Sequence, residues 1–365
     1  MTIKTLKLFQ FRNYESVQLT FHEKFNALVG LNGMGKTNIL DALYYLCLGK
    51  SYFSSGDRMV IMQEKDFFRI EGIFETETDK ESVVIKSQSG NRKDIEVSGK
   101  KVERIGQHVG RFLCVIIAPA DIQLMMEGSE ERRSFLNNTI VQTDRQYLED
   151  IILYSGLLKR RNALLKTFAE QRYFDNLLLE SVSVGMYDPA QRIFEKRKQQ
   201  VVQMQSVFSD TYAEISGQKE TCQIEYESQL AVENLHLLMQ KNQDKDRFLA
   251  RTSHGIHKDD LLFTMNGEPL KHFASQGQLK SFVLSLKLTQ YKLLEANSGK
   301  KPILLLDDIF DKLDHNRVKH LLTLLMDNNF GQVFITDTNE DRIIKILDDI
   351  RTEYSIFTVE NGKIG

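Results

Sequence analysis

The sequence predicts an α/β protein: mixed β-sheets with helices, interrupted by an inserted helical arm. Three observations predict it. A glycine-rich loop near the N-terminus sits between an apolar run and a helical pattern. Both ends of the chain carry strand-like alternation. The stretch between them spaces its apolar residues by three and four and is poor in proline. The expected division is 1–120, 121–250 and 251–365, with the outer segments forming one head and the middle one the arm.

The loop comes first. Phe25-Asn26-Ala27-Leu28-Val29 ends at Gly30, and Leu31, Asn32, Gly33 and Met34 lead to Gly35-Lys36-Thr37. Ile39, Leu40, Leu43 and Leu46 then follow at helical spacing. This is G-x-x-x-x-G-K-[ST] between a strand and a helix, the setting that separates a phosphate loop from a chance glycine turn. Glycines let successive N–H groups converge on a phosphate, and the helix N-terminus adds a positive dipole end. Residues 30–37 are therefore the candidate nucleoside-triphosphate site. Lys36 would bridge the outer phosphate oxygens and Thr37 would ligate Mg²⁺.

Composition bounds the rest. With 365 residues, 41% of them hydrophobic and 27% charged, the chain has room for two domains or one with a large insertion. A net charge of −2 provides no global basic field, so a nucleic-acid surface would be a local patch. Cys47, Cys114 and Cys222 are far apart and read as buried reduced thiols. No apolar run approaches the ~18 residues of a membrane span. The first six residues lack a signal-peptide core and read as a strand, so a cytosolic protein without a membrane partner is expected.

Within the first segment, Ile3, Leu6 and Leu8 alternate, as do Val17, Leu19 and Phe21, around a turn at Arg12-Asn13-Tyr14-Glu15. On the residues alone, Arg12 and Asn13 read first as solvated turn residues and second as groups reaching a nucleotide. Residues 68–74, 82–86, 95–97 and 112–117 read as strands, with turns at Ser89-Gly90-Asn91 and Ser98-Gly99-Lys100. After Pro119 the texture changes. Leu136, Ile140, Tyr147, Ile151, Tyr154, Leu158, Leu164 and Phe168 mark amphipathic helices, with breaks expected at Gly156, Gly185 and Asp188-Pro189. Arg132-Arg133, Lys159-Arg160-Arg161 and Lys196-Arg197-Lys198 read as solvated faces, with phosphate contact as the alternative. No heptad is sustained, which argues against a long coiled coil. Leu261-Leu262-Phe263-Thr264-Met265 before Asn266-Gly267 predicts a hairpin. A helix over 318–326 and a strand over 332–336 close the pattern.

Two further constellations carry chemistry. Ile303-Leu304-Leu305-Leu306 ends in Asp307-Asp308, a Walker B pattern. Asp307 would hold the Mg²⁺ cluster and Asp308 would polarise the attacking water, where a plain reading has them cap a helix. Ser275-Gln276-Gly277-Gln278 opens a helix, and a hydroxyl, glycine N–H groups and a helix N-terminus make an anion site. One phosphate site already exists, so Ser275, Gly277 and Gln278 would serve the γ-phosphate held by a second copy. That is the ABC-type signature loop, and it implies an ATP-sandwiched homodimer. Phe310-Asp311-Lys312-Leu313-Asp314 stands at the D-loop position, and Thr336 and Asp337 where many ABC-type ATPases carry a histidine.

These residues resemble the RecF family of bacterial DNA replication and repair proteins. The resemblance rests on Phe11-Arg12-Asn13-Tyr14, the phosphate loop, Ala118-Pro119-Ala120-Asp121, Gly128-Ser129, Arg132-Arg133-Ser134-Phe135-Leu136, His257-Lys258-Asp259-Asp260-Leu261, Ser275-Gln276-Gly277-Gln278-Leu279-Lys280 and Leu305-Leu306-Asp307-Asp308. It runs from about residue 2 to about 355. Ile256 and Lys258 depart from the expected proline and arginine, and Asp308 stands where SMC and transporter ATPases have glutamate. The resemblance implies an ABC/SMC-like ATPase head with a short helical arm, binding ATP and Mg²⁺. It implies that the Arg12-Asn13 turn touches the nucleotide. It also implies an ATP-dependent homodimer on double-stranded DNA at single-strand gaps, weak DNA-stimulated ATP hydrolysis acting as a switch, and partnership with RecR and RecO in loading RecA. A head subunit of an SMC-like or double-strand-break repair complex would need a long heptad arm, often with a C-x-x-C hook. A transporter ATPase would need a shorter interval between phosphate loop and signature. A pure clamp that never hydrolyses ATP fits poorly with intact Lys36, Asp307 and Asp308.

Overall fold

The computed structural model describes residues 1–76, 79–90, 93–217, 220–309, 322–327 and 330–365. From the N-terminus run β1 (Thr2–Phe11), β2 (Tyr14–Thr20), β3 (Phe25–Val29) and helix α1 (Lys36–Leu48). Next come β4 (Phe67–Glu75), β5 (Lys80–Gln88), β6 (Asp94–Val97), β7 (Lys100–Lys101) and β8 (Cys114–Ile117). The longer helices of the middle stretch are α2 (Ser129–Ile140), α3 (Arg145–Gln171) and α4 (Asn176–Ser216). They are followed by β9 (Cys222–Glu227), β10 (Asp260–Met265), β11 (Glu268–Pro269) and helix α5 (Gln276–Ser298). The last stretch holds β12 (Ile303–Leu306), β13 (Val333–Asp337), helix α6 (Glu340–Asp349), β14 (Tyr354–Glu360) and β15 (Lys363–Ile364). The expected D-loop, residues 310–314, and the first part of the helix expected over 318–326 lie outside the described residues.

The chain packs as two compact units, residues 1–121 with 290–365, and residues 122–289. The first unit holds two sheets. One is antiparallel, in the order β2-β1-β4-β5-β6-β7, and the other runs β15-β14-β3-β13-β12-β8 with β14 through β8 parallel. In the parallel sheet β3 lies between β13 and β14, with Val29 opposite both Asp337 and Thr358. All residues of β3, β8 and β12 are buried, as continuous runs in a sheet covered on both faces must be. Helix α1 is buried nearly all round, and its core cluster includes side chains of β1, β4 and β5 as well as of β8, β12 and β13. Each of its fully buried aliphatic side chains contributes about 1.5–3 kcal/mol. Because β3, β12 and β13 are parallel neighbours, their C-terminal ends share one sheet edge. Gly30, Asp307 and Asp337 meet there.

In the second unit α3 and α4 fold back on each other through residues 172–175. Asp144 and Asp175 cap their N-termini by accepting from the Tyr147 and Leu178 N–H groups, each at 2.9 Å. The expected breaks do not occur: Gly156 lies inside α3, and Gly185 and Pro189 lie inside α4. Pro189 removes the donor to the Gly185 carbonyl, but the pair is tolerated because packing compensates. Pro189 is buried, and a Cβ at Gly185 would stand 3.1 Å from Leu157 of α3. The Asn266-Gly267 hairpin is observed, with φ of 51° and 84° between β10 and β11. Residues 251–289, expected with the C-terminal part of the head, pack instead within 122–289. There β10 pairs with β9 from Asp260–Glu227 to Met265–Cys222.

The basic runs are largely structural. Arg161 and Asp246 are 2% and 1% exposed and pair at 2.7 Å, while Arg161 also donates to Ser183 and Thr252. Arg197 pairs with Asp259 at 2.7 Å, and Arg132 binds Asp260 through two nitrogens at 2.6 and 2.9 Å. Arg133 donates to the Asp259 carbonyl at 2.8 Å. The expected solvated faces therefore hold only for the exposed Lys159, Arg160 and Lys198, while the half-buried Lys196 pairs with Asp144 at 2.8 Å.

Candidate nucleotide-binding site

Three glycines shape the phosphate loop. Gly35 (φ 117°) starts α1 and Gly33 has φ 82°. Gly30 has φ 150°, and a Cβ there would lie 2.3 Å from the Val359 carbonyl oxygen of β14. Only glycine fits that approach. Leu31, Asn32 and Gly33 are exposed along the loop crest, and Met34 is half-buried. Lys36 is 6% exposed, and its Nζ donates to the Gly30 and Leu31 carbonyls at 2.6 and 2.9 Å. Burial pushes the Lys36 ammonium pKa down, against the pull of Asp308, Asp307 and Asp337.

The turn between β1 and β2 braces this loop. Asn13 donates to the Met34 carbonyl at 3.0 Å and accepts from Asn38 at 2.7 Å. Tyr14 donates to the Gly35 carbonyl at 3.1 Å. Arg12 (φ 53°) turns elsewhere: it binds Asp41 at 2.6 and 2.9 Å and donates to Ser51 and Ser54. Asp41 is wholly buried and also accepts from Ser51 and the Tyr52 N–H. The plain reading of Arg12 and Asn13 as a solvated turn thus fails for both. Asn13 touches the loop directly, and Arg12 anchors the turn to α1.

The carboxylates of the β12 edge complete the geometry. Thr37 Oγ1 donates to Asp307 at 2.9 and 3.1 Å, joining groups 270 residues apart in sequence. Thr336 Oγ1 donates to the same carboxylate at 3.0 Å and accepts the Asp308 N–H at 2.8 Å. Asp307 is 5% exposed. Burial pushes its carboxyl pKa up, and the Thr37 and Thr336 hydroxyls hold it back. Among the described residues it has no ion-pair partner within 4 Å; its direct partners are the two hydroxyls, with the Lys36 ammonium a more distant opposite charge. Such a buried carboxylate beside a threonine hydroxyl fits a hard cation. Asp308 has φ 45°, a left-handed conformation that costs energy for a non-glycine residue. Asp337 is neutralised by Arg342 of α6, through bonds of 2.6, 2.7 and 3.1 Å.

Ser275, Gly277 and Gln278 belong to the second unit, at the start of α5. Ser275 and Gly277 are exposed. The Ser275 N–H donates to Gln278 Oε1 at 2.8 Å, and the Gln278 N–H donates to Ser275 Oγ at 3.3 Å. This is a capping box, the structural use of S-x-x-Q. Sequence reasoning missed Asn38, Asp41 and Arg342. Asn38 directly follows Lys36-Thr37 and was within reach. The other two become visible only once the sheet edge is assembled.

The RecF/RecN/SMC N-terminal domain family matches residues 2–364. The DNA replication and repair protein RecF of Flavobacterium johnsoniae is 42% identical over 359 residues, spanning 98% of this chain and all of that protein. RecF of Cytophaga hutchinsonii is 37% identical over 364 residues, spanning 100% of this chain and 96% of its own length. Among solved structures, the recombination mediator protein RecF-ATPrS in the RecFOR pathway superposes with a TM-score of 0.89 at 30% identity, covering 99% of this chain and 97% of that one. The Smc head domain of Pyrococcus furiosus bound to the C-terminal domain of ScpA covers 100% of this chain and 95% of its own at TM-score 0.56 and 18% identity, a likeness of fold. The architecture is thus an ABC/SMC-type head with an inserted helical arm, and the chain belongs to the RecF family of DNA replication and repair proteins.

Proposed function

We propose that this protein is an ATP-dependent DNA-binding protein of recombinational repair and replication-fork maintenance. The observation that carries the reading is the Thr37–Asp307 contact at 2.9 Å, which puts a phosphate-loop hydroxyl and a strand-end carboxylate at one point. A solved relative carries the name RecF-ATP. In this reading the 30–37 loop cradles the phosphates and Lys36 leaves its two carbonyl partners for phosphate oxygens. Asn13 keeps the loop in shape, and Arg12 holds the Asn13 turn from behind. Thr37 and Asp307 would hold Mg²⁺, which when bound screens the phosphate charge. Asp308, fixed through its N–H by Thr336, orients water for slow hydrolysis. Ser275, Gly277 and Gln278 receive the γ-phosphate of a second copy, closing a homodimer on double-stranded DNA at a single-strand gap. RecO and RecR would then act with this dimer to load RecA.

Light scattering with Mg²⁺-ATP, with and without a gapped duplex, tests the proposal. A nucleotide-driven monomer-to-dimer shift, strengthened by the DNA, supports it. An unchanged monomer that still binds ATP would refute the dimer and leave the phosphate loop standing.

A further inference from the structure

We infer that Glu220 and Tyr212 are positioning residues for the Ser275 loop, acting through Gln278; this rests on the signature reading proposed above. The contacts form one chain. Tyr212, near the C-terminal end of α4, donates to Glu220 Oε2 at 3.2 Å. Gln278 Nε2 donates to Glu220 Oε1 at 2.8 Å, and Gln278 Oε1 accepts the Ser275 N–H at 2.8 Å. Ser275 Oγ in turn accepts the Gln278 N–H at 3.3 Å.

The chemistry of the carboxylate makes this arrangement directional. An ionised glutamate only accepts, so Gln278 must offer it the NH₂ end of its amide. The carbonyl end is then left for the Ser275 N–H, and the capping box closes. With the amide reversed, two acceptors would face each other and the NH₂ group would confront the Ser275 N–H. Glu220 therefore selects the amide orientation that closes the box. With the box closed, Ser275 Oγ spends a lone pair on the Gln278 N–H and keeps its own O–H for an incoming anion. The first-turn N–H groups of Gln276 and Gly277 have no intrahelical acceptor and serve the same anion. A hydroxyl held this way receives a γ-phosphate with little reorganisation. Through Tyr212, its setting is tied to the long helix of the arm.

The test measures Mg²⁺-ATP-dependent dimerisation by analytical ultracentrifugation, alongside monomer affinity for a fluorescent ATP analogue. Glu220→Ala should weaken dimerisation about tenfold, the loss of one charge-assisted hydrogen bond, with monomer affinity unchanged. Gln278→Glu keeps a capping-box residue but sets two carboxylates face to face, and should weaken dimerisation at least as much. Adding Glu220→Gln to Gln278→Glu restores a donor–acceptor pair and should recover at least about threefold of the dimerisation that Gln278→Glu loses, the remaining deficit coming from the carboxylate left beside the incoming γ-phosphate. A purely packing role would not give this rescue. Glu220→Ala dimerising normally, or a swap that rescues nothing, overturns the inference. Ser275→Arg serves as the separate control: it should abolish dimerisation with nucleotide binding intact. If Ser275→Arg dimerises like wild type, the signature reading itself falls.

Discussion

Thr336→Val replaces a buried hydroxyl by a methyl of the same shape, so packing is preserved and two hydrogen bonds are lost. One is the 3.0 Å bond donated to the Asp307 carboxylate, and bonds to charged groups contribute about 1.5–3 kcal/mol. The other is the 2.8 Å bond accepted from the Asp308 N–H, about 1 kcal/mol. Nucleotide-free protein should therefore lose about 2.5–4 kcal/mol. The chain has no tryptophan, so urea unfolding is followed by circular dichroism. The pH dependence is a sharper readout. Burial raises the Asp307 pKa, so the folded state binds its proton more tightly than the unfolded chain does. The cost of the buried charge is absent below the ordinary carboxyl value of about 3.8 and grows as pH rises through the folded value. Removing one hydroxyl that holds this pKa down enlarges the cost. The gap between wild type and Thr336→Val should thus be widest at neutral pH and narrow on acidification. Thr336→Ser should sit within about 0.5 kcal/mol of wild type. A valine variant as stable as wild type, or a gap indifferent to pH, would refute the assignment of Thr336 as the group that holds Asp307 and Asp308.

Four further outcomes are expected. Lys36→Met should abolish binding of a fluorescent ATP analogue, with DNA retention and dimerisation lost together in the same titrations. Gly30→Ala forces a methyl against the Val359 carbonyl at a φ of 150° and should cost about 2–4 kcal/mol in denaturant midpoints. Arg161→Met leaves Asp246 buried and unpaired and should cost about 3–5 kcal/mol; adding Asp246→Asn should recover part of it in a double-mutant cycle. Burial pushes His257 down to about 4, so the folded state binds fewer protons than the unfolded chain between that value and about 6.5. Its contribution is present above about pH 6.5 and lost as pH falls toward 4, at about 1.4 kcal/mol per unit. His257→Gln should flatten that limb of the stability profile.

Much of the head was legible because it is built from local rules. The phosphate loop announces itself within eight residues, and β12 with Asp307 and Asp308 reads as a buried run ending in carboxylates. The Asn266-Gly267 turn follows from which residues tolerate positive φ. Long-range pairing was not legible. Arg161 and Arg197 look like surface charges until Asp246 and Asp259 are brought to them from later in the chain. Gly185 and Pro189 carry helix-breaking propensity, which tertiary packing overrides. The allegiance of residues 251–289 depended on β10 pairing with β9, a match that alternation alone cannot assign. The second duty of Ser275 and Gln278, as each other's cap, was present in S-x-x-Q but eclipsed by its resemblance to an anion loop.

The placement of β3 between β13 and β14 has a consequence for how the protein is made. Both lateral partners of the strand that carries the phosphate loop come from residues 333–360. At ribosomal speeds of about 5–20 residues per second, they emerge roughly 15–60 s after β3 itself. Throughout that interval a nascent chain already contains every residue from Gly30 to Thr37 yet has no sheet to hold Gly30 against Val359. Nucleotide competence is thus acquired only once residues 333–360 have been made, long after the loop itself. Until then an apolar strand edge must be shielded from other growing chains.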